Sequence, residues 1–133
     1  MQDRNEFITG FRGEPIGNVN SQSSREEQFQ NTVLRPILKL QNDLFIEVFR
    51  NYVSKYKNDF HALAVERKLQ YIENAIQKDI KFRNSLKGMV IALFTVGEYE
   101  DYIQNSSQLN KRMMNMLIER LKSQVLLFEA QPD

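Results

Sequence analysis

The stretch FQNTVLRPILKLQNDLFIEVF, residues 29–49, decides the fold. Its apolar side chains recur every three or four residues, with Phe29, Val33, Ile37, Leu40 and Leu44 forming a stripe that continues to Val48 and Tyr52. A second stripe, Leu34, Leu38, Phe45, Phe49 and Tyr56, runs beside it. A helix apolar over so wide an arc must touch several neighbours, so this segment reads as central. Ser24-Arg25-Glu26-Glu27 precedes it as a capping box, in which Ser24 and the glutamate three residues on satisfy each other's amides. Pro36 lacks an N–H and crowds the preceding turn. The spacing therefore predicts a kink there, or a short helix ending near Leu34 and a new one starting at Arg35 or Pro36.

Farther along, a stripe runs Val65, Leu69, Ile72, Ile76 and Ile80. Its phase would bury Arg83, Asn84 and Lys87, yet the apolar residues restart as Phe82, Leu86, Met89 or Val90, and Leu93. The slip predicts a break between Lys78 and Lys81 capped by Asp79, with helices over 64–78 and 80–94. Before the first of these, the pattern lapses around Asn58-Asp59. Gly88 inside an apolar helix suggests a close approach of neighbouring helices. Thr95-Val96-Gly97-Glu98 is a second capping box and opens a short helix through Tyr99, Tyr102 and Ile103. Asn105-Ser106-Ser107 ends that helix and caps the last one, about 108–128, which carries Met114, Ile118, Leu121, Val125 and Phe128 on one face.

Toward the N-terminus, residues 1–23 are polar and hold Gly10, Gly13, Pro15 and Gly17 without helical period. They read as a flexible arm, although Phe7, Ile8, Phe11, Ile16 and Val19 would also suit a strap laid on the body or on a partner. The expected architecture is all-α: an antiparallel helical bundle of four long helices plus a short one, residues 24–133, behind the arm.

Composition excludes much chemistry. The 133 residues contain no cysteine and one histidine, His61, so thiol catalysis, disulfides, thiolate metal sites and His-rich metal sites are absent. Asn58, not glutamate, stands three residues before His61, which removes the helical di-metal spacing and leaves a capping or packing histidine. Asp43 with Glu47, and Glu98 with Asp101, share helix faces, but the first pair matches Lys39 and Arg50 as surface ion pairs and the second fills a helix's first turn. No phosphate loop, nucleophile elbow or nucleotide fingerprint occurs, and no cofactor is expected. The apolar runs are far too short to cross a bilayer, and the first ten residues lack a signal-peptide pattern. These features lead to the expectation of a cytoplasmic protein that is not an enzyme.

Interaction is the positive expectation. Met113 and Met116, with Val125-Leu126-Leu127-Phe128, put more apolar surface on the last helix than one bundle face can bury. A protein partner or a homodimer would cover it. The arm holds several of the acids, so residues 25–132 keep 16 of the 18 lysines and arginines against 13 of the 17 acids. Lys78, Lys81, Arg83, Lys87, Lys111 and Arg112 could contact phosphates, which makes a nucleic-acid-associated regulator the alternative. A small-ligand binder or enzyme with a pocket between helices is the second alternative.

The run Leu34-Arg35-Pro36-Ile37-Leu38-Lys39-Leu40-Gln41-Asn42-Asp43, with Asn105-Ser106-Ser107 and Arg120-Leu121-Lys122-Ser123-Gln124, resembles a family of small all-helical bacterial proteins of unassigned function, some labelled glyoxalase. The resemblance spans most of residues 24–128 and implies a helical fold without assigning functional residues. Glyoxalase chemistry would need several histidine and acidic metal ligands, which His61 alone does not supply.

Overall fold

The computed structural model describes residues 3–20, 23–55 and 60–128. Tyr56 of the second stripe, the lapse at Asn58-Asp59 and residues 129–133 lie outside them. Among the described residues the chain is all-helical and has no strand. In order it forms α1 (Arg4–Arg12), α2 (Arg25–Phe29), a π-helical turn (Gln30–Leu34), α3 (Arg35–Leu40), α4 (Asn42–Lys55) and a 3-10 turn (Phe60–Ala62). Then come α5 (Val65–Lys78), α6 (Ile80–Ile91), α7 (Val96–Ile103), α8 (Ser106–Ser123) and a terminal 3-10 turn (Val125–Phe128).

Local chemistry sets most of these boundaries. Ser24 accepts the Glu27 amide at 3.1 Å, and Asp79 accepts the Phe82 amide at 3.2 Å while its other carboxylate oxygen takes the Tyr52 hydroxyl at 2.8 Å. Thr95 and Glu98 complete the capping box in both directions, at 3.2 and 2.8 Å. At Pro36 the element boundary falls where the second expectation put it, with one element ending at Leu34 and α3 starting at Arg35, but without an interruption of the helical path. The chain runs on through it by widening to a π turn, in which the Arg35 amide reaches back five residues to the Gln30 carbonyl.

Past the π turn the buried set is Val33, Leu34, Ile37 and Leu38, and after Gln41 it becomes Phe45, Ile46, Phe49 and Val53. Gln41 leaves ideal helical geometry, and the buried face slips by about one residue there. That slip brings Leu44 to the surface, and Leu40, at the edge of the buried face just before it, is also exposed, although both belong to the stripe expected inside.

Phe49 is the centre of the core. Its ring meets Tyr52, Phe60, Tyr71, Phe82 and Phe128, with Phe128 4.8 Å away between centroids. Helix α5 packs on α6 and α8, α6 on α8, and α8 on the π turn. Met113, Leu117, Ile118 and Leu121 of α8 are buried among them.

Three expectations change. The arm is not a loose tail over its described length, because residues 4–12 form a helix docked on the body through Ile8 and Arg12. The last helix stops at Ser123 rather than near 128, and the final apolar residues form a 3-10 turn. Gly88 is not a point of close helix approach, since a Cβ added there would meet nothing within 4 Å.

Candidate functional site

Helix α6 ends at Ile91, and the carbonyls of Ala92, Leu93 and Phe94 follow in the connection to α7, past the reach of the helix's own amides. The arm supplies the missing donors. Arg4 donates to Phe94 O at 2.7 Å and Ala92 O at 2.8 Å, and Arg12 donates to Leu93 O at 3.1 Å. Arg4, Ile8 and Arg12 lie four residues apart, so one face of α1 carries both guanidinium groups and the apolar anchor between them. Asp3 caps this helix through the Glu6 amide at 2.9 Å, and Asn5 accepts the Val96 amide at 3.1 Å.

The second element of the site is Glu98. Its carboxylate receives both terminal nitrogens of Arg12, Nη1 on Oε1 and Nη2 on Oε2, the latter at 2.8 Å. Oε1 also accepts the Thr95 amide, so the capping box that starts α7 aims the carboxylate at the arm. The Arg12 side chain is almost wholly buried and that of Glu98 mostly so. Burial alone would raise the Glu98 carboxyl, but the Arg12 and Thr95 hydrogen bonds and the Arg12 charge outweigh it and hold the group below the usual carboxylate range.

Pro36 supplies the third element. With no N–H to give, it cannot serve the carbonyls one turn earlier. The arm reaches both: Ile16 N donates to Asn31 O at 2.9 Å, and Arg12 Nη2 lies 3.5 Å from Thr32 O. The buried Asn31 amide nitrogen donates to Asn18 O at 2.8 Å. Gly17, at φ 101°, passes directly over that side chain.

Beside this contact lies an open groove of about 770 Å³ between the α2 to π-turn segment and the start of α7 and α8, lined by Arg25, Glu26, Phe29, Glu98, Asp101 and Asn105 among others. Glu26 accepts the Asn105 amide at 2.9 Å, and bonds from its own backbone amide and from Asn105 lower its carboxyl. Glu26 and Glu98 are thus held ionised at neutral pH, which suits cation binding better than proton transfer.

The expected site residues are dispersed. Met113, Val125 and Phe128 are buried in the core and Met116 is half-buried, which narrows the expected C-terminal contact to Leu126 and Leu127. Those two are 69% and 49% exposed. Of the basic residues, Lys78 and Lys81 share a shallow groove with Tyr52, Tyr71 and Asp79. Arg83 donates to the Gln77 carbonyl and Arg112 to Gln30 of the π turn, outside that groove, while Lys87 and Lys111 stand on α6 and α8. His61 is exposed with its ring edge-on to Phe60. Glu47 pairs with Arg50, and no group of three or more His, Cys, Asp or Glu among the described residues could hold a metal ion.

Sequence reasoning missed Arg4, Arg12 and Asn31. A signal was present in Asp3-x-x-Glu6, a helix start, and in Arg4, Ile8 and Arg12 at four-residue spacing, but Gly10 and Gly13 outweighed it. Comparison with protein families, curated proteins and solved structures finds no match to this chain.

Proposed function

We propose that the chain is a cytoplasmic, non-enzymatic helical protein that works through protein contacts and pairs with a second copy through its C-terminal turn. We read α4, α5, α6 and α8 as the long members of an antiparallel bundle that holds this turn in place. The observation that carries the reading is the division of Val125-Leu126-Leu127-Phe128: two side chains are buried and anchor the turn, while Leu126 and Leu127 face water.

The turn is tied to α4. Asn42 and Gln124 exchange amide hydrogen bonds at 2.8 Å in both directions, and Arg50 donates to Leu127 O. Leu44, half-exposed, lies on the stretch of α4 between those two anchors. Full burial of each leucine side chain is worth about 1.5–3 kcal/mol, and a platform tied down in this way loses less entropy on pairing.

Sedimentation equilibrium tests the reading. A concentration-dependent dimer in the high-micromolar range is expected, with a monomer for the Leu126→Glu, Leu127→Glu variant at unchanged helical circular dichroism. A wild-type chain that stays monomeric across that range overturns self-association.

A further inference from the structure

We propose that the acceptors beneath the arm form an arginine-reading site, filled within the chain by Arg4 and Arg12 and open to an arginine-bearing segment of a partner polypeptide. The site is built entirely of acceptors: the carbonyls of Ala92, Leu93, Phe94 and Thr32 and both carboxylate oxygens of Glu98. Each exists for a reason internal to the body. Helix α6 ends there, Pro36 withholds a donor, and the α7 capping box fixes Glu98. Two carboxylate oxygens with a carbonyl nearby match the planar fork of a guanidinium and not the compact ammonium of lysine.

The arm's own fit to this site is imperfect. Arg12 Nε–H is buried without an acceptor, and Ile8 is the only apolar residue of α1 that is buried. Phe7 and Phe11 stack on each other and face outward, 57% and 55% exposed. Directly after Arg12, Gly13 at φ 86° breaks the helix, so the helical part of the contact ends there and the arm goes on in extended form over Asn31. Glu98 also lines the 770 Å³ groove with Glu26, Asp101 and Phe29, so the residue that holds Arg12 borders an acidic, partly apolar groove that suits a basic segment. This surface is separate from Leu126 and Leu127, so the outcome here is independent of dimerisation.

The test uses the full chain with a protease recognition sequence inserted between Asn20 and Ser23 and cut after folding. The probe is a fluorescent peptide of residues 3–18, followed by anisotropy. The cut chain is expected to bind the peptide at least tenfold more tightly than the uncut chain, in which the tethered arm competes. Glu98→Gln in the cut chain should weaken binding at least tenfold, as should Arg12→Lys in the peptide, which leaves the protein untouched if the Glu98 variant folds poorly. An alanine-based helical peptide with two arginines eight residues apart should displace the probe, and its lysine counterpart should not. Equal binding of the Arg12→Lys peptide, or no displacement by a hundredfold excess of the arginine peptide, overturns the proposal.

Discussion

The centre of the body and the seat of the arm are held by opposite chemistry. Around Phe49, rings from α4, α5, α6 and both 3-10 turns bury one another, and the attraction depends on area removed from water more than on angles. Around Arg12, nearly every contact is a hydrogen bond from a guanidinium or amide to a placed oxygen, with Ile8 as the one buried apolar anchor. The first kind of contact is cooperative and resists local opening. The second is directional and depends on charge, so the arm should open in a step separate from global unfolding.

The largest expected effect attacks the first kind. Phe49→Ala removes a fully buried ring with five ring neighbours and should cost about 3–5 kcal/mol, lowering the midpoint of chemical denaturation for the whole chain. Arg12→Ala should cost about 2 kcal/mol, below the usual figure for a broken buried pair because Glu98 keeps the Thr95 amide. Its signature is regional: hydrogen exchange should quicken across residues 4–18 and α7 while α5 and α8 stay protected. If both variants change exchange everywhere alike, the arm is an integral part of the core and the contrast is lost.

Acid sharpens the same contrast. The folded Glu98 carboxyl titrates below its unfolded value, so its contribution is complete above the ordinary carboxylate range and disappears as pH falls through the depressed folded value. Amide signals of the arm should therefore shift on acidification before those of α8, and Glu98→Gln should remove that early phase.

The elements that could be read from the chain are those whose causes are local. Asp79 announces the start of α6 and Thr95 with Glu98 the start of α7, because a cap and its amide lie three residues apart. Leu44 lies outside the core because a regular period cannot anticipate a one-residue slip at Gln41. The arm site was hidden for a different reason. Arg12 and Glu98 stand 86 positions apart, and each has a sufficient local explanation as a helix-end charge. The groove beside them is likewise made by α2 meeting α7 and α8, which no single segment encodes. Within Val125 to Phe128 the excess of apolar residues was legible, whereas the pair left exposed depends on the 3-10 turn that replaces the last helical turn.

Two glycines give the smallest effects, with opposite signs in the two regions. Gly17 sits at φ 101°, and a Cβ there would come within 2.9 Å of Asn31 Cγ, a buried side chain held by Asn18. Gly17→Ala meets both backbone strain and a neighbour that cannot retreat, so it should weaken the arm contact by roughly 1–2 kcal/mol, read as faster exchange in α1. Gly88 lies inside α6 with open space where a Cβ would go. Gly88→Ala should stabilise the chain by about 0.5–1 kcal/mol, chiefly by reducing the freedom of the unfolded state, and should raise the global denaturation midpoint without changing exchange in the arm. If Gly88→Ala instead destabilises, α6 is packed from outside at that position, and its open face would have to be reassigned as a contact surface.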